Sequence, residues 1–220
     1  MSQTVLRSMR AEDLPQIERI VGLTWNYEDR VGADMAARFA AIDALNCLSR
    51  RTFMRVADID GDIAGFIVAN DLREPRRDWP MLARRTALLL RLALSREGRD
   101  GLRMFAGYER TDAMLRRDAD QAGRRYEGEV VLFIVSPDFK GHGVGRRLFG
   151  AAMEYFQGRG IEEFFLYTDT SCDFGFYEHR GMTRRCERDV EFALGGRSES
   201  LSMYLYDDVT SRQIAYQAKA

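Results

Sequence analysis

The stretch from Glu129 to Phe156 constrains this 220-residue chain more than any other, because it sets an apolar strand, a glycine-rich turn and an amphipathic helix in succession. Val130 to Val135 is a continuous apolar run rich in β-branched residues, the pattern of a strand buried on both faces. Ser136, Pro137 and Asp138 end it. Lys140-Gly141-His142-Gly143-Val144-Gly145 then places three glycines where backbone must come close to a ligand, and a helix begins on Gly145-Arg146-Arg147. Val144, Leu148, Ala151, Ala152, Tyr155 and Phe156 recur at helical spacing, so one face of that helix is core. A helix N-terminus entered through glycine offers unpaired N–H donors and the positive end of a dipole. The expected ligand is a phosphate or pyrophosphate.

Two familiar phosphate loops do not fit. A P-loop needs Gly-Lys-Ser/Thr at its end, and Arg146 stands where the Rossmann fingerprint needs its last glycine. Lys140-x-x-Gly143-x-Gly145 after a buried strand resembles instead the pyrophosphate loop of the GCN5-related N-acetyltransferases (GNAT), written Arg/Gln-x-x-Gly-x-Gly/Ala. The first position departs from that pattern, but lysine keeps a cation beside the phosphates. The turn taken alone also fits an ordinary connection between strand and helix. A second segment, Phe176-Tyr177-Glu178-His179-Arg180-Gly181-Met182, resembles the family's Phe-Tyr-x-x-x-Gly-Phe after the fifth strand.

Composition narrows the setting. Net charge is −1 with 45% hydrophobic residues, which suits a soluble globular protein and argues against a nucleic-acid binder that relies on overall positive charge. Cys47, Cys172 and Cys186 form no C-x-x-C pair and meet only two histidines, so neither a disulfide framework nor a metal site is expected. Met1 to Arg10 lacks an apolar leader core, and the apolar run Thr86 to Leu94 is short and broken by Arg91. A cytoplasmic protein without a membrane span is expected, folded as a single domain over residues 1–220.

The rest of the chain reads as alternating elements. Thr4 to Met9 patterns as a strand, and Ala11 to Pro15 opens a helix carrying Ile17, Ile20 and Val21 on one face. Ala33 to Leu48 is a second helix with Met35, Phe39, Ile42 and Leu45 as its stripe. Between them, Trp25 and Tyr27 beside Glu28 and Asp29 either receive an amine or simply roof the core with the acids in water. Thr52 to Asp58 and Ile63 to Ala69 are strands joined through Asp60-Gly61, a strong hairpin signal. Asp71 to Gly128 changes character, with helical periodicity in Met81 to Arg96 and near Thr111 to Gln121, and fourteen arginines against ten acids. A net +4 there fits a solvated, salt-bridged helical insertion or an anionic-substrate site. Ile161 to Thr168 is a strand, Cys172 to Arg180 a short helix, Arg184 to Phe192 and Ser198 to Tyr206 a hairpin around Gly195-Gly196, and Val209 to Ala220 a polar tail.

The resemblance covers nearly the whole chain except 71–128. It implies an α/β (α+β) GNAT fold, a mixed central sheet of about seven strands flanked by helices, with a helical insertion between the third and fourth strands. It implies acetyl-CoA as cosubstrate, with the pantetheine arm on Phe133, Ile134, Val135 and Thr170 and the pyrophosphate on Lys140, Gly141, His142, Gly143, Val144, Gly145 and Arg146. The acceptor is then a primary amine of a small molecule or a peptide or protein, attacking the thioester directly. Tyr177 aligns with the family's general acid to the sulfur, and Glu129 stands where some members carry a catalytic glutamate. Glu129 also reads as a strand-end carboxylate in water, and Phe165 occupies the fifth-strand position where other members place a glutamate. That last departure keeps open a non-catalytic acyl-CoA sensor on the same fold. The apolar stripe of Leu82, Leu89, Leu90 and Leu92 faces the core or, if exposed, favours a homodimer.

Overall fold

The computed structural model describes residues 4–194 and 197–219. Seven strands form one sheet in the order β1-β2-β3-β4-β5-β7-β6: β1 (Val5–Arg7), β2 (Phe53–Ile59), β3 (Asp62–Asp71), β4 (Gly128–Val135), β5 (Glu163–Asp169), β6 (Thr183–Leu194) and β7 (Arg197–Val209). Only β4 and β5 run parallel, as the strand-helix-strand pattern requires; the other neighbours are antiparallel. The turn between β2 and β3 has positive φ at Asp60 and Gly61, the backbone that a tight Asp-Gly hairpin needs. Gly195 and Gly196, expected at the final hairpin turn, lie outside the described residues.

Helices cover both faces. On one, α5 (Val144–Arg159) packs Val144, Leu148, Phe149, Ala152, Met153 and Phe156 on the sheet. On the other, α1 (Leu14–Thr24) and α2 (Ala33–Leu48) bury Ile17, Val21, Phe39 and Ile42. The stripe that the sequence predicts for α2 is buried, apart from Met35, which is only partly so.

The insertion between β3 and β4 is two helices, α3 (Trp79–Leu92) and α4 (Arg96–Gln121). α4 is far longer than the periodicity near Thr111 to Gln121 predicts, because glycines at 98, 101 and 107 and the charges between them dilute the apolar signal in its first half. Gly101 is there for contact: a Cβ at that position would stand 2.3 Å from the Phe39 ring, so only glycine lets α4 lie on α2 so closely. Among the described residues, six of the segment's fourteen arginines pair with acids, among them Arg84–Glu18, Arg85–Glu109, Arg116–Asp120 and Arg124–Asp207. Of the apolar stripe on α3, Leu92 is buried and Leu89 packs on the core, while Leu90 is exposed.

The expected polar tail is a helix, α7 (Thr210–Lys219). What holds it is a buried arginine. Arg180, just after α6 (Gly175–His179), donates to Gln213 and Gln217 and lies over the rings of Phe149 and Tyr216. A side chain some thirty residues distant, not local propensity, fixes the end of the chain.

Asp71 shows how the far end of α5 is anchored. It is 1% exposed and accepts from Arg73 and from Arg159 on the last turn of α5. Hydrogen bonds from Arg73 hold its pKa down, from 3.8 to about 2. A carboxylate lowered by folding contributes stability that is present above its unfolded pKa and is lost as pH falls through the folded one. Asp71→Asn is therefore expected to lower unfolding free energy by about 2 kcal/mol at pH 7, and by roughly half that at pH 3. Urea titrations at the two pH values check this, and an equal gap at both would remove the ion pairs as the cause.

Candidate active site

β4 makes the site by failing to stay in register. Its pairing with β3 matches Val68 to Leu132 and Ala69 to Val130, leaving Val131 as the extra residue of a bulge. Its parallel pairing with β5 covers only Gly128, Glu129 and Val130. Beyond the bulge the strands part, and Val131 to Val135 leave their β5-facing backbone groups unpaired by β5. Exposure follows: Val131, Leu132 and Phe133 are half-buried, a departure from the strand buried on both faces that the apolar run predicts.

A cavity of about 810 Å³ fills the gap. One wall is β4 from Val130 to Val135, the glycine turn and Phe176 and Tyr177 of α6. The opposite wall comes from α1, α2 and the insertion, with Trp25, Tyr27, Asp43, Arg50, Tyr108 and Asp112 among its residues. The paired helices and the insertion thus complete a site whose other half belongs to the central motif.

The glycine turn has the form expected of an anion cradle. Gly141 and Gly143 take φ of +81° and +71°, and Gly143 caps α5. Among the described residues, no N–H from Gly141 to Arg146 donates to a backbone acceptor, while Arg147 closes the first turn on Gly143. Lys140 and Arg146 bring cations to the same wall. Donors, dipole and positive charge converge on one end of the cavity.

The expected site residues separate into two groups. Phe133, Ile134, Val135, Lys140, Gly141, Gly143, Val144, Gly145, Arg146 and Tyr177 all line the cavity. His142, Thr170 and Glu129 do not. His142 is exposed with Nδ1 3.1 Å from the Lys140 carbonyl, and Thr170 is exposed with its hydroxyl accepting from the Ser202 N–H. Glu129 is neither in the cavity nor in water: it is 3% exposed, and Arg50 reaches across to it with Nη1 2.8 Å from Oε2. Burial raises the pKa of Glu129 against the opposing pull of Arg50, itself a residue of the cavity wall.

Tyr177 is buried among Phe149, Phe176 and Tyr206, and burial, with Cys172 and Asp173 adding to it, drives its pKa upward. The hydroxyl is therefore a proton donor at any ordinary pH. Cys172, also in the wall, is pushed up to about 11 by burial, so it is a thiol and not a nucleophile near neutrality. Cys47, Cys172 and Cys186 are all free, and among the described residues no cluster of His, Cys, Asp and Glu could hold a metal.

The second wall holds groups that the motifs did not announce. Tyr27 donates to Asp43, whose pKa burial raises to about 6. Trp25 and Tyr27 thus both roof the core and line the cavity, while Glu28 and Asp29 are exposed. Asp112 on α4 has a buried Oδ1 with no hydrogen-bond partner, and its pKa is raised to about 7 by burial, then by Glu129.

Comparison with known proteins agrees with this architecture. Residues 105–182, from the middle of α4 through α6, match the model of the Acetyltransferase (GNAT) family. The fold is shared with SsHAT (16% identity, 94% of this chain and 98% of that chain, TM-score 0.57) and with a GCN5-related N-acetyltransferase from Rhodopseudomonas palustris (14%, 93% and 96%, 0.51). It is shared too with the PaiA N-acetyltransferase from Thermoplasma acidophilum, whose structure is a complex with coenzyme A (13%, 94% and 99%, 0.50). No curated protein matches the chain. Residues 105–182 of the chain are thus similar to the GNAT family of acetyltransferases, and the whole chain shares the fold of solved members. Among the described residues, no helix is long and apolar enough to cross a membrane.

Proposed function

We propose that this chain, acting as one catalytic domain, transfers the acetyl group of acetyl-CoA to a primary amine by direct attack within a ternary complex. One observation carries the reading: a single cavity joins the unpaired amides of the glycine turn, the free edge of β4 and Tyr177 to a polar wall built by α2 and α4. The pyrophosphate would sit on the amides from Gly141 to Arg146 with Lys140 nearby. The pantetheine would add to β4 beside Phe133, Ile134 and Val135 as an extra strand would, where β5 leaves backbone unpaired.

Acetyl transfer forms a C–N bond and breaks a C–S bond. The amine must reach the carbonyl as free base, the oxyanion needs a donor, and the thiolate must be protonated. Tyr177, kept protonated by burial, supplies that last proton. Tyr177→Phe is expected to lower kcat by about 100-fold while leaving CoA affinity within about twofold, because the hydroxyl acts on sulfur only late in the reaction. Thiol release and calorimetry on the same preparation separate the two quantities. Unchanged turnover would make Tyr177 a packing residue. The whole reading is tested by incubating the protein with acetyl-CoA and a panel of amines: CoA release with a matching acetylated product supports it, and binding of acetyl-CoA without transfer to any amine would leave a sensor.

A further inference from the structure

Transfer to an amine, as proposed above, leaves open which group takes the proton of an acceptor that arrives as ammonium. Glu129 is held behind Arg50 and does not reach the cavity. Of the other carboxylates that line the cavity, Asp43 is engaged by Tyr27, Glu109 by Arg85 and Asp169 by the backbone and hydroxyl of Ser171, while Asp173 is exposed. Asp112 differs. Its Oδ1 is buried without a partner, and its own backbone carbonyl accepts from Tyr167 on β5 at 2.9 Å, which fixes that turn of α4 against the sheet where β4 and β5 part. A buried acceptor with no donor is destabilising, and a cationic N–H donor from a ligand relieves that.

We propose that Asp112 binds the acceptor's ammonium and takes its proton, and that the acceptor is a basic primary amine on an apolar or aromatic body. The walls beside Asp112 set the second part: Phe105, Tyr108, Val131 and Leu132 line the same cavity. The chemistry balances. R–NH3⁺ gives one proton to the Asp112 carboxylate and attacks the thioester carbon; the tetrahedral adduct collapses with loss of the C–S bond. Its second ammonium proton ends on sulfur through Tyr177, and Asp112 returns its proton to water.

The groups that face Asp112 decide when it is a base. Glu129 on β4, Asp169 on β5 and Glu109 one turn away on α4 favour its neutral form, Arg50 just after α2 favours the anion, and Tyr167 and Cys47 stay neutral beside it. With its pKa raised to about 7, it is half ionised at neutrality and a better proton acceptor than an ordinary carboxylate for an ammonium that loses its proton as the amine attacks.

Phenylethylamine and hexylamine serve as acceptors, with CoA release measured from pH 6 to 10 for the wild type and Asp112→Asn. The wild type should show kcat/KM rising to a plateau through about pH 7. The variant should lose about 100-fold at pH 7, lack that inflection and approach the wild type as the free amine appears above pH 9, with CoA affinity unchanged. A weakly basic amine that is already neutral at pH 7 should lose less. Wild-type activity with no inflection near 7, or with equal loss for basic and weakly basic amines, overturns the assignment to Asp112 and leaves N-acetylation intact. No acetylation of either amine by the wild type overturns the acceptor class; none of any amine overturns the function on which it rests.

Discussion

Gly143→Val should weaken CoA binding by about 100-fold, with little change in the fold of the free protein. Gly143 caps α5 at φ +71°, and a Cβ there would meet no protein atom within 4 Å. The space beside it opens on the cavity. A β-branched residue in the left-handed region carries strain of about 1–3 kcal/mol, relieved by turning the peptide and thereby the amides that face the cavity. It also puts methyl groups where a pyrophosphate must lie against backbone. Gly158→Ala is the matched control, since Gly158 lies in the same helix with open space around it and no positive φ. Calorimetry with CoA should show the loss in the first and not in the second. Equal affinities for both variants would remove the glycine turn from cofactor binding, and with it the central element of the site.

That turn was legible because its chemistry is local. Three glycines after a β-branched run and before an amphipathic stripe specify the strand, the cradle and the helix with no help from the rest of the chain. The parting of β4 from β5 was not legible from periodicity, since a one-residue bulge at Val131 leaves the apolar run unbroken. Glu129 illustrates the same limit from the other side. Its place at the start of a strand is correct, but whether its carboxylate meets substrate, water or a cation depends on Arg50, 79 residues earlier in the chain. Asp112 did leave a trace. Phe105, Tyr108, Leu115 and Ala119 follow the helical repeat of one face of α4, and Asp112 stands on that apolar face. A carboxylate there needs a partner, and none of the short motifs pointed to it. The C-terminal helix left a weaker trace, since Arg180 and the two glutamines that it binds are remote in sequence and polar in composition.

Excising the insertion, by joining β3 to β4 with a short turn, should abolish folding and not merely change acceptor choice. The segment lies between β3 and β4 where the sequence places an insertion, yet its helices are part of the core. Leu92, Met104 and Phe105 join the cluster under α1 and α2, and Leu115, Ala119 and Tyr126 form another with Phe165 and Leu205 of β5 and β7. Burying each large apolar side chain contributes about 1.5–3 kcal/mol, so five of them supply roughly 10 kcal/mol against a whole-domain stability of about 5–15. Excision also strips Asp207, 1% exposed on β7, of Arg124 and of the Tyr126 hydroxyl, leaving only Arg185 for a buried carboxylate. A point change measures the same packing on a smaller scale. Leu115→Ala, which empties space between α4 and the sheet at a fully buried side chain, should cost about 3 kcal/mol in urea unfolding while the cofactor end of the cavity is untouched. A shortened chain that unfolded cooperatively and bound CoA would show the insertion to be a lid laid over a finished core, and acceptor choice could then be exchanged by exchanging the insertion alone.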